Sequence, residues 1–271
     1  MKSRLAFLLL ALQAPPAPAE PASDPWTKVP ALPTSCYTKG DTFDQRANDA
    51  TDALNKAEAQ QIEINQDIEL QSGEVDVMEL QQRMMQFMSE HPEQAQRVIE
   101  AITQGGQQTQ EQSPEMQQRG QQLDNELQEL TAAYEAALKQ AMKSTSEKRQ
   151  ALNTALQKSC NQDLLARGVA ISAEENRAYG ELCANWWKTG QFHDWFARYK
   201  QFKIEDAAFW AEHAETIKLT LEMKGVSADQ YRSTDDLKAP VDYLRRAVRI
   251  FDKRRFAPVS EEPGSCEIGH G

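Results

Sequence analysis

The chain has 271 residues, with 41 acidic against 30 basic side chains and a formal net charge of −11. That length holds one or two domains and a sizeable core. The acidic balance, with a pI near 5.0, excludes a nucleic-acid binder, which needs a dominant basic surface. A mean hydropathy of −0.69 fits a soluble protein with elongated polar parts, and no stretch reaches the roughly 18 apolar residues of a membrane span.

Residues 1–19 read as a cleaved signal peptide. Lys2 and Arg4 form a positive start, Leu5 to Leu12 an apolar run, and Ala17-Pro18-Ala19 a small-x-small cleavage pattern. Cleavage near Ala19 implies a periplasmic or secreted protein, and no N-x-S/T sequon is present, which fits a bacterial source. Residues 20–40 contain Pro21, Pro25, Pro30 and Pro33 and are expected to form an extended, poorly ordered lead-in.

From residue 41 to 160 the chain is glutamine-rich and nearly free of aromatics. Phe43, Ala47, Ala50, Leu54, Ala57, Gln61, Ile64 and Ile68 alternate spacings of four and three, a heptad seam with one polar break at Gln61. Ser72-Gly73 ends that helix. A second amphipathic run begins near Asp76 and carries Val77, Leu80, Met84, Phe87 and Met88. His91-Pro92 interrupts it, because proline lacks the backbone donor and suits a fresh helix start. It then resumes through Val98, Ile99 and Ile102 to Gly105-Gly106, followed by a polar loop over residues 107–112. From Pro114 to Lys158 a third pattern carries Leu123, Leu127, Leu130, Tyr134, Ala137 and Ala141, with Leu152 and Leu156 on a shifted stripe. Such a helix is about 65 Å long. Residues 41–160 are therefore expected to be an acidic helical hairpin or coiled-coil bundle.

Residues 161–256 differ. Half of the aromatic residues fall between Tyr179 and Trp210, and Phe192, Trp195, Tyr199 and Phe202 share one helical face. Trp210, Ala214, Ile217 and Leu221 form another stripe, stopped by Gly225. Val241, Leu244, Val248 and Phe251 form a third, after a start assigned to Pro240. The expected fold is all-α: a long helical hairpin, then a compact helical domain, then an irregular tail over residues 257–271.

Four cysteines, Cys36, Cys160, Cys183 and Cys266, favour two disulfides in an oxidising compartment, with three possible connectivities. Antiparallel first and third helices bring Cys36 towards Cys160, which favours Cys36–Cys160 and Cys183–Cys266. No C-x-x-C is present, so no zinc knuckle or thioredoxin-type pair is indicated.

Three clusters could carry function. Met84, Met88 and His91 fall at i, i+4 and i+7, a thioether and imidazole set suited to Cu(I). The same methionines equally make a core stripe or a groove for apolar clients. In the aromatic segment, Trp186 and Trp187 cannot both face inward on one helix, which marks one of them for a partner surface. Glu174, Glu175 or Glu181 beside these aromatics could act as the acid of a cell-wall glycan hydrolase. His193-Asp194 with Cys183 would suggest a thiol nucleophile only if that thiol were free. Arg245, Arg246, Arg249, Lys253, Arg254 and Arg255 form a basic stripe suited to anionic lipid heads, cell-wall polymers or an acidic protein face. No Walker, dinucleotide, nucleophile-elbow or H-E-x-x-H motif is present.

In architecture and composition, residues 41–160 resemble periplasmic coiled-coil chaperones, a likeness that carries no functional residues across. The expectation is a non-enzymatic interaction protein of the bacterial envelope (chaperone, scaffold or immunity protein) with no cofactor and a protein partner. The long seam also allows a homodimer. A copper-binding protein is the first alternative and glycan binding or hydrolysis the second.

Overall fold

The computed structural model describes residues 24–36, 42–105, 113–251, 259–260 and 262. Among these residues every regular element is helical. A 3-10 turn at Pro25–Lys28 precedes seven α-helices: α1 (Phe43–Gly73), α2 (Val77–Glu90), α3 (Pro92–Gly105), α4 (Pro114–Lys158), α5 (Gln162–Thr189), α6 (Gln191–Met223) and α7 (Asp235–Phe251). The signal segment 1–19, the polar loop 107–112 and the basic residues Lys253, Arg254 and Arg255 lie outside the described residues, as do Cys266 and most of the tail.

Local chemistry sets the helix ends. The Asp76 carboxylate accepts from Met78 N at 2.7 Å, Ser113 Oγ from Met116 N at 3.2 Å, and Asn161 Oδ1 from Leu164 N at 3.0 Å. Each satisfies a donor that has no partner inside its own helix. Gly190, at φ 67°, is the left-handed turn that ends α5 and starts α6. One start differs from expectation. α7 begins at Asp235, not Pro240, because the Thr234 carbonyl already accepts from Leu237 N and Lys238 N, both at 3.1 Å. Pro240 lies in the second turn, fully buried.

The main core draws on both halves of the chain. Phe43, Ala47 and Leu54 of α1 and Leu123 and Tyr134 of α4 share one cluster with Trp195, Phe196, Tyr199 and Phe202 of α6 and Val241, Leu244, Ala247 and Phe251 of α7. Phe43 meets Phe251 edge-on, with centroids 6.3 Å apart, and Trp195 Nε1 donates to the Leu123 carbonyl at 2.9 Å. The heptad seam of α1 lies mainly along α7, while α4 pairs with α5. The long helical hairpin is therefore α4–α5, closed by the short turn Ser159–Asn161. A heptad marks which face is buried and leaves the identity of the partner open.

That change of partner also changes the disulfides. Cys36 is bonded to Cys183, with Cα atoms 5.7 Å apart, so neither Cys36–Cys160 nor Cys183–Cys266 forms. The cause is the lead-in, which is ordered over residues 24–36. Trp26, Val29 and Leu32 pack against the core, Trp26 meets Tyr243 at 5.7 Å, and His193 Nε2 donates to the Pro33 carbonyl at 2.8 Å. This path carries Cys36 to the C-terminal end of α5. Cys160 is also disulfide-bonded.

Candidate functional site

A helix advances about 100° per residue, and a helix facing a core needs an apolar arc of roughly 100°. The arc of α2 is close to twice that. Phe87, Leu80 and Met84 occupy one half and are half-buried; Val77, Met88, Met85 and Met78 occupy the other half and are exposed. Val77 and Met78 are 77% and 79% exposed and Met85 55%. Leu70, at the end of α1 across the turn from Val77, is 68% exposed. Against a core in which Leu54 and Leu244 are 0% exposed, this is an apolar surface that no described element covers.

The helix bearing it is held in place. The inner half of α2 packs towards α6, as does α3. Arg83 Nη1 donates to the Gly225 carbonyl at 3.1 Å, and its other nitrogen bonds Glu79 at 2.5 Å. Gly225 has φ 75°, and a Cβ there would overlap the Arg83 guanidinium, so the contact demands glycine. The same loop is gripped from α1. Gln61 Nε2 donates to the Gln230 carbonyl at 3.1 Å and Asn65 Nδ2 to the Arg232 carbonyl at 2.8 Å. The polar break in the heptad is thus the point where α1 takes hold of the α6–α7 loop. Ile68, Leu221, Val226 and Ala228 form a small apolar cluster beneath it.

Of the copper set, Met84 and Met88 lie on α2 and His91 caps its C-terminal end. α2 stops at Glu90, and His91 leaves the helix at φ −131°. Its ring lies 5.2 Å from that of Phe87; Met84 is half-buried and Met88 exposed. Among the described residues no three His, Cys, Asp or Glu side chains gather as a metal site.

Trp186 and Trp187 are both half-buried, and adjacent side chains find two different walls. Trp186 packs 5.3 Å from Tyr134 and 5.6 Å from Phe192. Trp187 lies 5.4 Å from Phe251 and 5.8 Å from His193. The end of α5 is wrapped on both sides, so neither indole is left outside. His193 is engaged by Pro33 and Cys183 is oxidised, which removes the thiol reading.

Two of the three candidate acids, Glu174 and Glu175, are engaged as well. The Glu175 side chain is 8% exposed and is held by Arg149 Nε at 2.9 Å and Nη2 at 2.5 Å, while Arg149 Nη2 also donates to Ser172 Oγ at 3.1 Å. Glu174 accepts from Lys148 at 2.7 and 2.6 Å, and Glu181 is exposed. A carboxylate locked to a guanidinium is poorly placed to donate a proton.

The basic stripe is split. Arg246 turns inward, 2.8 Å from Asp124 and 4.9 Å above the Tyr199 ring, whereas Arg245 and Arg249 are exposed. Tyr199, pushed up to about 12 by burial, stays a neutral phenol.

Sequence reasoning named Val77 and Met88 and passed over Met78 and Leu70. The available signal was the width of the apolar arc, since a stripe nearly twice the width a core requires leaves half of itself uncovered. Among the described residues no helix is long and apolar enough to cross a membrane. No family model matches the chain, and no curated protein or solved structure matches it either.

Proposed function

We propose that this chain is an exported helical interaction protein of the bacterial envelope whose partner-binding surface is the outer face of α2, formed by Val77, Met78, Met85 and Met88 with Leu70 beside it. The observation that carries this reading is the contrast between that exposed apolar arc and the pinned helix that presents it. Exposed apolar faces of this kind mark interaction sites, and methionine adapts to differently shaped apolar partners. The positive, apolar and small-residue sequence of residues 1–19 and the Cys36–Cys183 disulfide support an oxidising, extracytoplasmic compartment.

Charge defines the occupant. Residues 67–105 contain eight acidic and two basic side chains, and one of those two, Arg83, is already engaged. The partner is therefore an apolar segment flanked by lysine or arginine, for which the acidic surround supplies attraction. Two copies of the same acidic face repel, which disfavours self-association through it.

The test is binding of the oxidised protein to an extended peptide with alternating apolar and cationic residues, compared with an apolar–anionic peptide of the same length. The cationic peptide is expected to bind, and Met78→Glu with Met85→Glu to remove binding without altering helicity. Equal binding of both peptides, or full binding by the variant, overturns the reading.

A further inference from the structure

We infer that Met78, Met85 and Met88 form a modification site for two-electron oxidants, and that conversion of their thioethers to sulfoxides closes the docking face of α2. The closure rests on the docking reading above; the modification site does not. The chain has eight methionines, of which seven lie among the described residues. Three of those seven are exposed, and all three belong to the outer half of α2. Met84, Met116 and Met142 are half-buried, and Met223 is 3% exposed. The fold thus gathers its accessible thioether sulfur on one face of a 14-residue helix.

No thiol among the described residues competes for the oxidant. Thiolates are ordinarily the first sulfur to react with peroxides, but Cys36, Cys160 and Cys183 are all held in disulfides. The acidic surround of the face is no barrier either, because hydrogen peroxide and hypochlorous acid react as uncharged molecules.

The step is an oxygen-atom transfer. A sulfur lone pair attacks the oxygen of hydrogen peroxide or hypochlorous acid, and the O–O or O–Cl bond breaks. Water leaves in the first case, chloride and a proton in the second. Sulfur gives up two electrons and becomes a polar sulfoxide. Two thiols of a methionine sulfoxide reductase reverse the change, releasing water and leaving a disulfide.

The change stays local. The inner half of α2 rests on Leu80 and Phe87 as well as the half-buried Met84, and the bond from Arg83 to the Gly225 carbonyl contains no sulfur. The helix therefore keeps its place while its outer face turns from apolar to polar. An apolar segment docked there would bury sulfoxide oxygens that it cannot satisfy with hydrogen bonds.

Limiting hydrogen peroxide or hypochlorous acid, added to the full disulfide-bonded chain and followed by peptide mapping, tests the site. Met78 and Met85 are expected to be oxidised first, Met88 next and Met223 last. Oxidation of Met142 or Met223 as fast as Met78 overturns the site, since exposure would not be directing the reaction. The closure is read as affinity for the apolar–cationic peptide before and after oxidant. That affinity is expected to fall about tenfold or more at constant helicity, and to return after treatment with methionine sulfoxide reductase. In the combined variant Met78→Leu, Met85→Leu and Met88→Leu, the affinity, whatever its starting value, is expected not to respond to oxidant. Undiminished affinity in the unaltered protein with all three sulfoxides formed overturns the closure. If the untreated protein does not bind the peptide, the docking reading and the closure fall together. The order of oxidation, read without any peptide, still decides the site.

Discussion

Arg83 donates to the Gly225 carbonyl at 3.1 Å and ties the middle of α2 to the loop between α6 and α7. This contact joins the helix that carries the exposed methionines to the loop that α1 grips over the Ile68, Leu221, Val226 and Ala228 cluster. Gly225→Ala places a methyl group where the guanidinium lies and in a left-handed backbone conformation, which costs about 1–2 kcal/mol from the backbone alone. Arg83→Ala is milder globally. Both are expected to speed amide exchange in α2 while leaving the middle of α6 protected, and unchanged exchange in both would mean the tie is ornamental.

The core and the methionine face should respond in opposite ways to truncation. Leu244 is fully buried among α1, α6 and α7, so Leu244→Ala is expected to cost about 2–5 kcal/mol. Met78→Ala removes a side chain already in water and should stay within about 0.5 kcal/mol. Denaturant unfolding of the two variants checks the contrast; a large loss in Met78→Ala would show that α2 is covered in solution.

In the α4–α5 hairpin, Glu175 is the buried partner and Arg149 the half-exposed one. Arg149→Met leaves a carboxylate in a dry setting with its guanidinium gone, whereas Arg149→Met with Glu175→Leu removes both charges. The single variant is expected to be the less stable of the two by about 1–3 kcal/mol, towards the lower end because Arg149 is partly screened. A double-mutant cycle on the thermal midpoint measures it, and equal stability of the two variants would show that the buried carboxylate does not depend on its guanidinium partner.

The pH dependence has two components of opposite sign. The Arg198 hydrogen bond holds Glu126 below the usual glutamate value of 4.5, and Gln201 and then Arg119 do the same for Glu205. Their stabilisation is complete above 4.5 and is lost as pH falls through the lowered folded values. Asp236 is shifted the other way, its carboxyl raised above 3.8 chiefly by burial. Its charged form opposes folding, and that opposition is relieved as pH falls through its raised folded value. Asp236→Asn is accordingly expected to remove the gain in stability that accompanies its protonation as pH falls towards 3.8, and Arg198→Met to weaken the acid-side decline. An unchanged profile in either variant contradicts the assignment.

Cu(I) is expected to bind no more tightly to the unaltered protein than to Met84→Leu or His91→Ala, because His91 lies outside the helix and against Phe87. Competition titration with a Cu(I) chelator reads this directly. A clear loss of affinity in both variants would restore the metal reading.

The ends of the helices were legible because their causes are local. Asp76, His91-Pro92, Ser113-Pro114 and Gly73 act through neighbours within one turn, so α2, α3 and α4 begin where the residues indicate. What the seam of α1 packs against depends on distant chain, and Phe43 finds Phe251 across the whole fold. The same cause misdirected the disulfide, since the ordered course of Trp26 to Cys36 over α6 and α7 depends on tertiary contacts alone. Pro240 misled as a helix start because the Thr234 carbonyl and the acidic pair after it act first. For the candidate site the residues were visible as a methionine-rich stripe. Which half of it is covered depends on where α6 passes, and Gln61, read as a flaw in the seam, proved to be a grip on the loop that positions Arg83.

The most direct measurement of the central claim is site-specific photocrosslinking in living cells, with the photoreactive residue placed at Met78, at Met85 and, as a control, at the exposed Glu129 of α4. The account predicts crosslinks to exported proteins from Met78 and Met85 and none from Glu129, with the attachment points in apolar stretches beside lysine or arginine. One dominant product would mark a dedicated partner and many would mark a chaperone. Crosslinks confined to a second copy of the chain, or equal yields at all three positions, would contradict it.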